Sequence, residues 1–261
     1  MSSEPRPIPT YPDLAGRVAL VTGGSKGIGA ATARMLAANG VKVAVNARSQ
    51  PGIDAIVDEL RATGAEAIGI SADVGELAEV ELTRDRVESE LGPIDILLPF
   101  AGGFGAFTPI QETSEAEWRE VIDWNLTSTF LAVRALIPGM IERKRGAIVT
   151  MASNGGRYLD KLLTASYAAA KAGVVQFTRH VAKELGPHGI RVNSIAPATV
   201  TSERVERIMD AEALRKVAEM SPLGRIGTPE DCALATLFLV SDSAGWLTGV
   251  TLDVAGGRIM L

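Results

Sequence analysis

From Arg17 onward, short runs of β-branched and aliphatic residues alternate with longer stretches whose apolar positions recur at helical spacing. Val18–Val21 predicts a first strand, Gly27–Asn39 a helix closed by Gly40, and Val41–Ala47 a second strand. Ile53, Ile56, Val57 and Leu60 then mark one face of a second helix. Ala67–Ser71 reads as a third strand, Glu76–Leu91 as a charged helix and Ile94–Phe100 as a fourth strand. Ser114 and Glu117 form a capping-box pattern that opens a long helix running through Arg134 to Arg143. Ala147–Met151, Arg191–Ala196 and Val250–Val254 supply three more strands. A helix around Ala168–Leu185 and another opened by Thr228-Pro229-Glu230 separate them. Uninterrupted apolar strands between amphipathic helices predict an α/β protein: a doubly wound parallel sheet of about seven strands with helices on both faces. No linker or internal repeat breaks the pattern, so residues 16–261 read as one domain. A loose arm precedes it over residues 1–15, where Pro5, Pro7, Pro9 and Pro12 accompany Glu4 and Asp13.

Composition narrows the function more than the fold. A net charge of −5 argues against a nucleic-acid partner, which usually meets a basic face. The one basic cluster, Arg143-Lys144-Arg145, stands where it suits a helix C-terminus. Cys232 is the only cysteine and sits in an apolar stretch, as a small core residue would. His180 and His188 lack metal-ligand spacing, so no metal is expected. Apolar runs such as Ala233–Val240 are too short to span a bilayer, and the opening segment has no signal-peptide core. The expected compartment is the cytoplasm, with neither membrane nor nucleic acid as partner.

Chemistry enters with Thr22-Gly23-Gly24-Ser25-Lys26-Gly27-Ile28-Gly29, which joins the first strand to the first helix. Glycines at 23, 27 and 29 allow a sharp turn and close approach to a pyrophosphate, which the N–H groups and positive end of the helix then face. That placement predicts a Rossmann-like dinucleotide site. An NAD site usually carries Asp or Glu at the end of the second strand. Here Ala47 is followed by Arg48 and Ser49. A guanidinium suits a 2′-phosphate, and Lys26 adds a second positive charge, so NADP(H) is the expected cofactor.

Tyr167 and Lys171 stand four residues apart, which on a helix places them on one face. An ammonium beside a phenol stabilises the phenolate and brings its proton affinity toward neutrality. Ser153 follows the strand Ala147–Met151, at the carboxyl edge where open parallel sheets bind ligands. Its hydroxyl would reach a reacting oxygen beside Tyr167; the competing reading is a turn residue or helix cap.

With these motifs the chain resembles the short-chain dehydrogenase/reductase family, in particular its 3-oxoacyl-carrier-protein reductases, over about Arg17 to Gly257. The glycine spacing matches that family's cofactor motif, and Asn125, Ser153, Tyr167 and Lys171 match its catalytic positions. The resemblance implies that Tyr167 is the general acid in reduction and the general base in oxidation. It implies that Lys171 lowers the tyrosine pKa and bonds the nicotinamide ribose, that Ser153 polarises the substrate oxygen, and that Asn125 anchors a water feeding protons through Lys171. It further assigns Asp73 and Val74 to the adenine, and Val200 and Ser202 to the carboxamide. Ala101 and Gly102 after the fourth strand, and Pro197 after the sixth, fall in its cofactor loops. Three departures stand out. Pro99-Phe100-Ala101-Gly102 replaces the family's usual Asn-Asn-Ala-Gly, which removes a backbone donor and two amides and so questions the bracing of the sheet. Pro197-Ala198 replaces the usual Pro-Gly, and Ser202 stands where threonine is common.

The implied substrate is a small carbonyl or alcohol, a 3-oxoacyl thioester among the candidates. Arg143-Lys144-Arg145 would then be a place for an acidic carrier to dock. The helical, methionine-containing segment of about Thr201–Met220 corresponds to the family's mobile lid, and Phe104, Asn154, Arg157, Tyr158 and Leu159 are candidate pocket residues by position. The resemblance implies a homotetramer built through the long helices, with the apolar end Gly257–Leu261 available to join an interface. A reading from a different class, an NADP-binding sensor or scaffold without catalysis, needs the cradle but not the proton donor.

Overall fold

The computed structural model describes residues 7–103, 107–159 and 163–260. Seven strands form one parallel sheet in the order β3-β2-β1-β4-β5-β6-β7: β1 Val18–Thr22, β2 Lys42–Ala47, β3 Ala67–Ser71, β4 Ile94–Pro99, β5 Gly146–Met151, β6 Ile190–Pro197 and β7 Thr251–Val254. The order reverses between β1 and β4, which leaves a crevice over their carboxyl ends. All five residues of β1 are buried, because both faces of the sheet are covered. Ala19 and Val21 point into one core with helices α1 (Gly27–Ala38), α2 (Gln50–Ala62) and α9 (Pro229–Val240). Val18 and Leu20 point into the other, with α3 (Leu77–Glu90), α5 (Ser128–Arg143) and α6 (Ala165–Leu185). Cys232 is fully buried in the first core, and burial pushes its thiol up to about 12, so it acts as a small apolar side chain.

The opening segment is docked rather than loose from Pro9 to Leu14. Asn39 binds it with both ends of its amide, accepting from the Tyr11 N–H at 2.7 Å and donating to the Pro9 carbonyl at 3.1 Å. Leu14 is fully buried, and Arg17 bridges Asp13 to Asp242.

The long helix expected from Ser114 to Arg143 has the predicted capping box but not one regular winding. It comprises α4 (Glu115–Ile122), a π-helical turn over Asp123–Thr127, and α5. Neither glycine nor proline occurs in that turn, so its sequence carries no breaking signal. The lid segment is two helices, α7 (Glu203–Ile208) and α8 (Ala211–Glu219), each started by a side-chain cap, Ser202 and Asp210.

Pro99 ends β4 rather than interrupting it. The β4–β5 register spans only Ile96↔Ala147 and Leu97↔Ile148, so the two strands part toward their carboxyl ends. The doubted bracing is supplied differently: the Thr22 hydroxyl accepts from the Ala101 N–H at 3.2 Å, and Phe100 packs into the first core.

Candidate active site

The glycine loop is built by close approach. A Cβ on Gly29 would lie 2.3 Å from the Gly23 carbonyl oxygen, and one on Gly23 would lie 2.8 Å from the Ala101 nitrogen. Both positions therefore need glycine, the first to seat α1 on the loop and the second to seat that loop against the one after β4. Gly27 has φ +55° and open space beside it. Lys26, the N-cap of α1, makes no side-chain capping bond. Uncapped N–H groups, a positive helix end and an open glycine surface at the switch point fit the pyrophosphate of a dinucleotide. Ser25 lies against Gly52 of α2, and Ile28 packs on the first core.

The remaining positions expected to meet the cofactor follow the carboxyl ends of β2, β3 and β6. Arg48 and Ser49 are exposed at the end of β2. The Asp73 carboxylate accepts from the Gly75 N–H at 2.9 Å, and Val74 is buried in the second core, so both also shape the turn after β3. Ser202 caps α7 by accepting from the Val205 N–H at 3.2 Å, which leaves its own O–H to donate. Val200 bridges to Gly227, and Pro197 ends β6. Ala198 does not have positive φ, and its N–H donates to the Val254 carbonyl, so the loop accommodates a Cβ without strain.

The parting of β4 and β5 opens the place where the residues expected to handle protons collect. Lys171 of α6 is buried, and its Nζ donates to the Met151 carbonyl at the end of β5 at 2.8 Å. The same Nζ lies 5.6 Å from the Tyr167 ring centroid, one helical turn away. Burial lowers the Lys171 pKa from 10.5 to about 7. Thr164 caps α6 through the Tyr167 N–H, which fixes where the first turn begins.

Asn125 sits fully buried in the π-helical turn. Its Oδ1 accepts from the Gly103 N–H at 3.0 Å, while its Nδ2 donates to the carbonyls of Gly103 and Val121, each at 2.8 Å. A Cβ on Gly102 would lie 2.7 Å from Asn125 Oδ1 and 3.5 Å from Lys171 Nζ. The loop after β4 thus lies against Asn125 and Lys171 together.

Ser153 is extended, with its Oγ accepting from the Gly155 N–H at 3.2 Å. Gly156 packs so tightly on α6 that a Cβ there would lie 2.5 Å from the Lys171 carbonyl carbon, which brings the serine loop onto the lysine's own backbone. Ser153 is therefore a turn cap, the competing reading of this residue, beside the place expected for the reacting oxygen. Of the candidate pocket residues, Asn154 is buried beside Ser153, and Arg157 pairs with Asp253 of β7 at 2.9 Å. Tyr158 and Leu159 are 60% and 79% exposed, at the surface of the same loop, and Phe104 lies outside the described residues.

Arg143-Lys144-Arg145 presents less free charge than its sequence suggests. Arg143 donates to the Ile94 carbonyl and faces Glu88, and Arg145 pairs with Asp95. The cluster lies where β5 begins, at the amino edge of the sheet, away from Ser153. Backbone contributors such as Met151 and Gly103 went unread in the sequence, because no side-chain pattern signals a carbonyl.

The family described as enoyl-(acyl carrier protein) reductase matches residues 23–258. A 3-oxoacyl-[acyl-carrier-protein] reductase of Synechocystis sp. is 40% identical, covering 95% of this chain and 98% of its own. A 3β-hydroxysteroid dehydrogenase of Eggerthella lenta is 38% identical, covering 96% of each. A crystal structure of a 3-oxoacyl-[acyl-carrier protein] reductase with bound NAD from Brucella melitensis superposes with a TM-score of 0.91 at 32% identity, over 100% of this chain and 98% of that one. By sequence over nearly the whole chain and by overall fold, the chain belongs to the short-chain dehydrogenase/reductase family and is an oxidoreductase acting on CH–OH and C=O groups.

Proposed function

We propose that this oxidoreductase uses NADP(H) and reduces a carbonyl, with 3-oxoacyl thioesters the first substrates to test. The cofactor reading is carried by Arg48. Its guanidinium stands at the end of β2, where Ala47 replaces the carboxylate that would repel a 2′-phosphate, and no acceptor among the described residues engages it. Gly23, Ser25, Lys26, Gly27, Ile28 and Gly29 would hold the phosphates, Asp73 and Val74 the adenine, and Ala101, Gly102, Pro197, Val200 and Ser202 the nicotinamide half. When bound, the nicotinamide supplies or accepts the hydride.

In this reading Tyr167 delivers a proton to the carbonyl oxygen and Ser153 donates a hydrogen bond to the same atom. Lys171 is suited to reload the phenolate, because a group with pKa about 7 gives up and regains a proton readily at neutral pH. Asn125 holds the loop after β4 beside that lysine. The two substrate classes named by the relatives, carrier thioesters and hydroxysteroids, give the panel its extremes. Initial rates of nicotinamide oxidation on 3-oxoacyl thioesters, cyclic ketones and oxosteroids, each with NADPH and NADH, test the reading. NADH outperforming NADPH would overturn the assignment of Arg48.

A homotetramer in the cytoplasm is part of the proposal. Leu82, Trp118 and Phe130 are exposed apolar side chains on α3, α4 and α5, and Trp246, Leu252 and Met260 are exposed in or near β7. Contacts through both regions would suit the two kinds of interface that a tetramer with dihedral symmetry uses. Among the described residues, no helix is long and apolar enough to cross a membrane. A monomeric mass by light scattering would refute the assembly.

A further inference from the structure

Two side chains meet across the mouth of the dinucleotide crevice. Arg48 leaves the carboxyl end of β2, and Trp124 lies in the π-helical turn beside Asn125. The crevice at the β1–β4 switch point lies between these elements. Even so, the guanidinium carbon of Arg48 sits over the Trp124 ring, 5.3 Å from its centroid. The same indole rests against the loop after β4, where a Cβ on Gly103 would lie 3.3 Å from it. The tryptophan is thereby braced by a loop of the cofactor site while it receives the arginine.

The chemistry of the pair is complementary to a phosphate. A guanidinium uses its face on an aromatic ring and its planar edge on an anion, so stacking leaves the N–H fork free. Among the described residues no carboxylate or carbonyl occupies that fork. An exposed arginine on a flexible stem would have to surrender rotamer freedom on binding, and a ring that already holds it removes part of that cost. Resting on the NADP(H) reading above, we infer that Trp124 is a positioning residue for the 2′-phosphate: it holds Arg48 over the crevice and so widens the preference for NADP(H) over NAD(H).

Calorimetric titration of the full chain with NADPH and with NADH tests this. The proteins are the wild type, Trp124→Ala, Trp124→Phe, Arg48→Ala and the Arg48→Ala/Trp124→Ala double variant. Trp124→Ala is expected to weaken NADPH by about two- to fivefold, the range of an exposed cation–π contact, and to leave NADH nearly unchanged. Trp124→Phe should retain part of the preference, because it keeps a ring face. Once Arg48 is gone, removing Trp124 should cost no further preference. NADH affinity reports on folding in every variant, and the phenylalanine variant keeps the test open if the alanine variant does not fold. Equal weakening of both cofactors would make Trp124 a wall for the adenosine, and tightening of both would make the stack a plug; either overturns the inference. If Arg48→Ala leaves the NADPH-to-NADH ratio unchanged, the NADP(H) reading itself falls. If Arg48→Ala collapses the ratio and Trp124→Ala does not move it, that reading stands and only the role of Trp124 is lost.

Discussion

Replacing Lys171 with methionine is expected to make the protein more stable, by an amount that depends on pH in a prescribed way. The lysine is buried, with the Met151 carbonyl as its hydrogen-bond acceptor, and burial moves its pKa from 10.5 to about 7. Below pH 7 the ammonium is present in both folded and unfolded chains, and the folded state carries the whole cost of burying it. That cost is roughly 5 kcal/mol, from the interval between the two pKa values at about 1.4 kcal/mol per pH unit. Above pH 7 the folded chain releases the proton while the unfolded chain keeps it until 10.5, so the wild type gains stability as pH rises through that window. Methionine has a similar length and no charge, so Lys171→Met removes this dependence. Urea unfolding of both proteins, at one protein concentration and from about pH 6 to about pH 9, gives the difference directly, with other titrating groups cancelling. The advantage of the variant should be flat below pH 7 and then shrink by about 1.4 kcal/mol per pH unit. A difference that does not change with pH would refute the argument, because it would mean that folding leaves the lysine's proton affinity untouched. The variant should also lose turnover under the proposed mechanism, a trade of stability against function.

Three further outcomes follow from the geometry. Tyr167→Phe should lower turnover by about a hundred- to ten-thousandfold while cofactor affinity is unchanged; near-normal rates would remove Tyr167 from the proton-transfer role. Gly29→Ala should lower stability by about 1–3 kcal/mol and weaken dinucleotide binding, because its Cβ meets the Gly23 carbonyl at 2.3 Å with no side chain to move aside; thermal melting and NADPH titration would measure both, and unchanged values would contradict the packing described. Asp253→Ala should cost about 1–3 kcal/mol by leaving the partly buried Arg157 without its ion-pair partner, a loss held down because desolvation already raises the Asp253 pKa. It should also disturb the Ser153 loop, and a substrate-KM shift without a stability loss in chemical denaturation would count against the anchoring role.

The central strands were legible because they are buried on both faces, so the apolar run in the sequence and the ladder in the structure nearly coincide, as at Val18–Thr22; the edge strand β7 has no buried residue. The glycine loop was legible for a related reason: Gly23 and Gly29 are dictated by contacts within one strand–turn–helix unit. The π-helical turn was not, since its sequence holds no breaking residue and its contact partner, Gly103, lies outside the helix. Ser202, read as a ligand residue, is also a helix cap, a role that its spacing to Val205 allowed. The basic run suits a helix C-terminus, but Glu88, Ile94 and Asp95, which engage Arg143 and Arg145, belong to α3 and the start of β4, so these pairings lie outside the local pattern. The Arg48–Trp124 contact joins positions 76 apart and left no trace in either local pattern.

The wider winding at Asp123–Thr127, where the Ser128 N–H reaches back five residues to the Asp123 carbonyl, has a topological meaning. Each residue of an α-helix advances the azimuth by about 100°, so a turn that holds one extra residue sets a different phase for α5 than for α4. Deleting a single residue there would let the rod run straight, and it would swing either the gripping amide or the downstream core face out of alignment. The phase of this rod is thus shared between the loop after β4 and the packing behind the sheet. Length changes in this stretch would be felt at both, even where every reactive group is spared.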